Sequence, residues 1–546
     1  MDASSDRLFC CRWVRNKVPA ACRDELYHIL RMTGPLLLSR ILHYLLPFVV
    51  TMFCGRLGND VMAGYGLASA AINVTTAATG CGLGLACDTL VSQTFGGQNL
   101  LRVGVILQRG IIILLLFCLP CWGLLINAEA ILLCMGQEPE VAMFLYNLQV
   151  SYLQNQGIIM PQMYTALLAN VANLATNYAF LHWANLGVVG SAAANTLSQI
   201  YICVFLFAYI WWKKLHVNTW GGWSVESLQE WGSYMKLAIP SLLMVCFEWW
   251  VYEFGGFFAG MLSEDELAAQ HAVIMIAFIT YMFPLGIQAA ACARVGNALG
   301  AGDTARALLA SKLSLSLAVS FALVEGVVLG CTKTVIGHIF TSDENIARIV
   351  SNLMTAYCFL QLFDGLCVCT GIFLGTGKQR IPAVANFIAY YCVGLTMSVV
   401  LMFVAKLRVL GFWLGLLICV VLHSTFYIIV IFRLNWKKMT EEVFQLSSSL
   451  TVTTHSTKGC TPVKTQQHDG NSETRVEQEV RRQKGGRLST TQLIIRRGLT
   501  MVTALAFLAV GTAVHFLVPL PEIGSNSTLD GINTTFTPHT ISSPVL

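Results

Sequence analysis

Five carboxylates stand inside apolar runs of this 546-residue chain: Asp88, Glu248, Glu253, Glu325 and Asp364. An ionised acid in a membrane costs several kcal/mol, so each is a functional candidate by default. Glu248 leads, eight residues past Pro240 and followed by Trp249, Trp250 and Tyr252. Burial raises a carboxyl pKa and a bound cation lowers it, so one acid can hold a proton or an organic cation in turn. That competition is a physical basis for exchange. Aromatic faces beside the acid add a cation–π attraction of about 0.5–2 kcal/mol, suited to bulky ammonium or guanidinium ligands. Glu253 follows five positions on, about 140° around an ideal helix. It is expected nearer the outer mouth as a second proton acceptor, with Asp364 as a third acid. The competing reading is a neutral acid hydrogen-bonded between helices.

Other polar residues divide between transport and packing. Asn170, Asn173 and Asn177 recur at i, i+3 and i+7, one stripe that is either a substrate-facing wall or an interhelical hydrogen-bond ladder. Asn73 is open in the same way. Asp88 is expected to cap a helix or pair with Arg102 or Arg109, and Glu325 to approach the outer interface. Gly80, Gly82 and Gly84 are expected to admit close helix approach, since no strand precedes them as a phosphate loop would require. Cys367 and Cys369 lack the second ligand cluster of a zinc site, and most cysteines sit in apolar runs as small hydrophobes. No cofactor or metal is expected.

The elements that must position these groups are membrane helices. Hydrophobic residues make up 55% of the chain and charged ones 12%, with mean hydropathy +0.64, against roughly 25% charged in soluble domains. A soluble enzyme is excluded, and a net charge of +5 is too small and dispersed for a nucleic-acid surface. Thirteen apolar runs fall near 34–54, 62–87, 104–126, 141–155, 158–181, 187–212, 235–262, 266–291, 310–330, 346–374, 382–405, 409–432 and 498–518, each near the length that crosses a bilayer. Basic residues gather in alternate loops, at Arg102 and Arg109, Lys213 and Lys214, Arg294 and Arg306, Lys378 and Arg380, and Arg433 to Lys438. These loops and the N-terminus are expected in the cytoplasm, with Lys406 and Arg408 in an outward loop as the exception. No cleaved signal peptide is read. The tail beyond the last run lacks Lys and Arg and carries sequons at Asn526 and Asn533, which places it outside.

The chain repeats itself. Phe53–Leu57 matches Phe258–Leu262 at an offset of 205, and the loop VSQTFGGQN from Val91 matches VGNALGAGD from Val295 at 204. Leu186–Gly190 then matches Leu407–Gly411 at 221. The first copy is therefore shorter by 16 or 17 residues, and the loss falls between its third and fifth spans. Either the fourth helix is short and strained or a segment has been lost. Each half holds an even number of spans, so the copies are parallel repeats with a substrate site between them near the midplane.

The expected architecture is an all-α polytopic protein of two parallel-repeat six-helix bundles plus one further span. It divides into a cytoplasmic segment 1–33, an N-lobe 34–212, a cytoplasmic linker 213–234, a C-lobe 235–433, a disordered linker 434–497, a thirteenth span 498–518 and an extracellular tail 519–546.

The loops QTFGGQN and NALGAGD, WGGWS at 220–224, FEWWVYE at 247–253, LGVVGSAAAN at 186–195 and Asn435–Lys438 resemble the vertebrate multidrug and toxin extrusion (MATE) transporters over most of residues 25–440. The resemblance implies an exporter that exchanges organic cations for protons at the plasma membrane; alternating access and a monomer with no obligate protein partner are expected. It maps the family's seventh-span acids onto Glu248 and Glu253 and its tenth-span acid onto Asp364. Three departures stand out: Met275 where the family has an eighth-span acid, Gln361 where it often has histidine, and the shortened fourth span. That last departure keeps a transport-impaired isoform open. A flippase for lipid-linked anions is the other alternative, although Arg40 and Lys312 are almost the only cations inside the spans.

Overall fold

The computed structural model describes residues 19–57, 73–125, 138–184, 187–339, 343–455 and 489–517. All regular structure among them is helical. The N-lobe comprises α1 (Ala20–Leu57), α2 (Ala78–Gly96), α3 (Leu100–Leu125), α4 (Glu138–Gln154), α5 (Met160–Tyr178) and α6 (Gly187–Trp212). The C-lobe comprises α7 (Trp231–Gly260), α8 (Glu264–Gly300) and α9 (Thr304–Thr332). It continues with α10 (Glu344–Asp364, extended by Val368–Thr376), α11 (Arg380 to Val404, with π-helical stretches) and α12 (Val409–Arg433). Two more follow, α13 (Trp436–His455) and α14 (Thr490–Leu517). Ten of the described helical stretches are long and apolar enough to cross a membrane. Polar caps set several starts: the Ser263 hydroxyl accepts from Glu266 N at α8, and the Asp303 carboxylate from Arg306 N at α9, each satisfying one orphan amide.

Each lobe has its own apolar core, around Phe144, Leu148 and Tyr152 in one and Tyr357, Phe412 and Trp413 in the other. Their relation is legible in glycine contacts. A Cβ on Gly96 would meet Asn297 O at 2.1 Å, and one on Gly300 would meet Gln93 O at 2.0 Å. Gly96 and Gly300 are mates in the repeat, as are Gln93 and Asn297, at the same offset of 204. Gly82 against Leu242 and Gly286 against Leu37 form a second reciprocal pair. Contacts in which i meets j′ and i′ meets j require a two-fold axis. That axis passes where Ser92 touches its own mate, Gly296. Gln98 (φ 62) and Gly302 (φ 79) also hold the same left-handed corner in the two copies.

The symmetry breaks at α4. It has 17 residues, about 26 Å at 1.5 Å per residue, whereas α10 with its extension runs 33 residues from Glu344 to Thr376. The 16-residue shortfall matches the offset change in the sequence. Elsewhere the expected boundaries shift. The first helix starts at Ala20, well before the apolar run. The second run, expected from 62, is helical from Asn73 through Gly96, while 58–72 lie outside the described residues. The stretch 434–497, expected to be disordered, opens with α13, whose Trp436 and Met439 are buried and whose Phe444 packs on Gly302. Those side chains give α13 an apolar face that short windows conceal. Residues 456–488 and the sequons Asn526 and Asn533 lie outside the described residues.

Of the three clustered glycines, Gly80 packs on the Phe144 ring and Gly82 on the Leu242 backbone, whereas Gly84 has open space beside it. The last helix, α14, crosses α3 where a Cβ on Gly511 would lie 2.2 Å from Gly123 O. It is also held by Arg497, which donates to Leu228 O at 2.9 Å and lies 4.0 Å over the Trp231 ring.

Candidate cation and proton site

Glu248 sits on α7, half-buried, and accepts a hydrogen bond from the Tyr281 hydroxyl of α8 at 2.7 Å. Asp364, at the end of the first segment of α10, is within electrostatic reach of both Glu248 and Glu325. Tyr252, Tyr357 and Tyr390 surround these acids. Tyr357 shares a 2.5 Å hydrogen bond with Thr280 and packs edge-on against Trp413. The C-lobe thus brings Asp364 within reach of both Glu248 and Glu325, among aromatic rings and phenolic hydroxyls. Such a cluster can hold protons or a cation, and cannot hold three bare charges.

The sequence-expected residues divide. Glu248, Asp364 and Tyr252 come together. Trp250 stands at the seam between lobes, its Nε1 donating to Val74 O at 3.0 Å. Trp249 is 41% exposed, turned outward. Glu253 is half-buried on the next turn, outside the electrostatic group of Glu248 and Asp364, as the 140° separation requires. Asn170 Nδ2 donates to Leu42 O at 2.7 Å, Asn173 Nδ2 to Leu46 O at 3.2 Å, and Asn177 to Asn173. The asparagine stripe is therefore a ladder onto α1. The Asn73 side chain lies outside the described residues.

Asp88 is not paired with Arg102 or Arg109. Those two bind Glu230 of the interlobe linker, at 2.8 and 3.5 Å, because the α3 face they share with Gln108 meets residues 222–230. Asp88 instead accepts from Asn155 Nδ2 at 2.7 Å. Glu325, expected near the outer interface, has a buried Oε1 with no hydrogen-bond partner among the described residues and lies within electrostatic reach of Asp364. Its role as a neighbour, and the tyrosines from α8, α10 and α11, were not recognisable from spacing, since they come from elements far apart in the chain.

On the face carrying the basic loops, the lobes close on each other. Thr89 Oγ1 donates to Leu374 O at 2.8 Å, Gln93 Nε2 to Gly375 O at 2.9 Å, and its mate Asn297 Nδ2 to Asn155 O at 3.3 Å. Below them Glu25 of α1 receives Arg294 through both oxygens, at 2.7 and 2.6 Å, and Arg306 at 3.0 Å. Burial by itself would raise the Glu25 carboxyl, but the two guanidinium groups outweigh it and hold the pKa below its ordinary 4.5. A cavity of about 240 Å³ opens beside this clamp, lined by Gln98, Arg294, Asn297 and Arg306 among others.

Comparison with known proteins agrees with this arrangement. The MatE family model matches residues 35–179 and 240–400, stretches of 145 and 161 residues that differ by 16, as the helices do. Multidrug and toxin extrusion protein 1 of Danio rerio is 46% identical over 94% of this chain and 95% of its own length. The Homo sapiens protein of that name is 42% identical over 91% and 95%. The crystal structure of the eukaryotic MATE transporter AtDTX14 superposes with a TM-score of 0.73, covering 78% of this chain and all of that one at 23% identity. With its two pseudo-symmetric bundles, this multi-pass membrane protein belongs to the MatE family of transporters and is not an enzyme.

Proposed function

We propose that the protein is a multidrug exporter that exchanges organic cations for protons, with Glu248 as the shared acceptor and Asp364 beside it. The observation that carries this is Glu248 itself, a carboxylate inside an apolar helix with, among the described residues, one tyrosine hydroxyl as its hydrogen-bond donor and aromatic rings around it. The names of the relatives at 42–46% identity support the multidrug class. A proton on Glu248 neutralises it; a cation displaces the proton by offering the same compensation plus ring contact. Alternating access supplies the two sides. The seam closed through Glu25, Arg294 and Arg306 is a cytoplasmic gate in this reading, set by the basic loops, and the tail after α14 is extracellular at the plasma membrane. Glu253 serves as an outer proton acceptor, while Trp249 and Asn170 have packing roles. The chain works as a single copy in a bilayer without nucleic acid or an obligate partner.

Proton-driven uptake of tetraethylammonium into inside-out vesicles tests the assignment. Glu248→Gln should abolish the pH-driven component while the protein still reaches the membrane; wild-type exchange in that variant overturns it.

A further inference from the structure

Glu25 has a mate in the repeat. Gly34–Pro35 pairs with Ile239–Pro240 at an offset of 205, which carries Glu25 of α1 onto Glu230, the residue before α7. In the same way Arg306, at the head of α9, stands 204 positions beyond Arg102, at the head of α3. The ion pairs repeat with the sequence. Glu25 takes Arg306 Nε at 3.0 Å, and Glu230 takes Arg102 Nη2 at 2.8 Å. Glu25 lies in the N-lobe and Arg306 in the C-lobe, whereas Glu230 opens the first helix of the C-lobe and Arg102 lies in the N-lobe. Crossed contacts of this form are the two arms of one two-fold arrangement. Each lobe's first helix, at its start, grips the third helix of the other.

Each glutamate also holds a second arginine, and there the copies differ. Arg294 of α8 reaches both oxygens of Glu25, at 2.7 and 2.6 Å, and Leu90 occupies its matching position in α2. At Glu230 the second is Arg109 of α3, at 3.5 Å, whose mate is Leu313. Arg109 is 4% exposed, donates to Glu226 O at 3.3 Å, and has an Nε without a partner among the described residues. An exposed ion pair is worth little, and Glu230 is 39% exposed. Stranding a buried guanidinium is costly, however, so Arg109 gives the Glu230 arm its weight.

We infer that Glu230 is a gating residue, and that the cytoplasmic gate is a pair of crossed ionic clamps that open together. This rests on the reading of exchange as alternating access. When one lobe rocks against the other, bonds between them at the closed end must break, and the two-fold axis makes both arms part in one motion. At that axis lies Ser92, fully buried against Gly296. The competing role for Glu230 is a staple that fastens the linker to α3, beside the bonds of Gln108 to Gly222 O and Ser224 N. A staple acts on the N-lobe face alone and does not shield Ser92.

The test uses the full chain in inside-out vesicles, with Ser92→Cys as reporter and a membrane-impermeant maleimide added to the cytoplasmic face. The chain without Ser92→Cys sets the background from its 19 native cysteines. Glu25→Gln and Glu230→Gln should each speed labelling of the reporter by about fivefold. The double variant should reach about 25-fold, because arms that share no residue add in free energy. Glu230→Asp, which keeps the charge, should stay near the wild-type rate. Where Glu230→Gln fails to reach the membrane, Arg102→Gln carries the test; it leaves Glu230 on Arg109 and should give about threefold. Unchanged labelling in the Glu230 and Arg102 variants makes Glu230 a staple and overturns the paired gate, as does a double variant no faster than Glu25→Gln alone. Failure of alternating access shows separately, as reporter labelling that saturating tetraethylammonium leaves unchanged, and the comparison of the two clamps is read in either case.

Discussion

The two lobes carry the same six helices in the same order about a two-fold axis, yet their interiors are unlike. The C-lobe places Asp364 in the fields of both Glu248 and Glu325 and keeps its fourth helix at 33 residues with its extension. In the N-lobe Asn170 and Asn173 donate to the α1 backbone, and the fourth helix has 17 residues. Symmetry in this fold thus governs the seam, where reciprocal contacts must fit. The lobe interiors, which touch no mate, are free to diverge. One lobe brings three of its acids into one group, whereas in the other Asp88 stands apart, bonded to Asn155. The largest expected effect tests that contrast. Asp364→Asn should lower proton-driven cation exchange by on the order of 100-fold, while Met143→Leu, one residue from the position of α4 that matches Asp364, should stay within about twofold. Vesicle uptake across an imposed pH gradient reads both, and comparable losses would erase the distinction between lobes.

The next effect concerns the missing length. Inserting 16 apolar residues after Val141 would restore a fourth helix equal to its C-lobe mate. Removing a mismatch of this size should raise surface abundance by about threefold, since 1–2 kcal/mol of stability changes steady-state levels severalfold. Surface biotinylation measures it. Unchanged abundance and uptake would mean that the short helix is fully accommodated, and that the lobes differ there in length alone.

The sequence made the shortfall readable before any coordinates, because a duplicated chain carries its own ruler: two loop motifs at one offset and a third at another locate a deletion. Ten of the spans followed from hydropathy for the same kind of reason, since bilayer thickness fixes length. Glu248 and Asp364 stood out because charge in hydrocarbon is costly. What could not be read is which side of each helix a residue occupies. The Asn170–Asn173 stripe had two readings with identical spacing, and the bonds to Leu42 O and Leu46 O, which support the ladder, come from a partner helix far away in the chain. Trp249 and Trp250 are adjacent in sequence, yet one turns outward and the other bridges the lobes. The clustering of Glu325 with Asp364, and Asp88 with Asn155 in place of Arg109, depends on tertiary partners that local patterning does not encode. The α13 helix escaped notice because its buried face is thin and its remainder polar.

A smaller effect lies where only the N-lobe receives an added helix. Gly511→Leu would place carbon atoms against the Gly123 carbonyl and force α14 off α3. Overpacking of this kind costs roughly 1–3 kcal/mol, and the Arg497–Trp231 contact should loosen with it. Thermal unfolding in detergent should show the loss, with transport by the two lobes within about twofold. A large transport defect at normal stability would make α14 part of the exchange cycle.

The smallest effect concerns Glu25, where the lobes are clamped. Glu25→Gln keeps an amide that can still accept from Arg294 but removes the charge, and charge-assisted hydrogen bonds are roughly twice as strong as neutral ones. The closed seam should lose about 1–2 kcal/mol, read as a lower thermal midpoint and faster labelling of a cysteine placed at Gln93. The sign of the pH dependence follows from the direction of the shift. Arg294 and Arg306 hold the Glu25 carboxyl below its ordinary 4.5, so its contribution is complete above that value and is lost only as pH falls through the lowered pKa. Between pH 6 and 8 the gap between wild type and variant should therefore be constant, even as the membrane acids drive exchange over the same range. A gap that changes in that window would place the titrating group at the clamp and move the proton-sensing step from the C-lobe acids to the cytoplasmic seam.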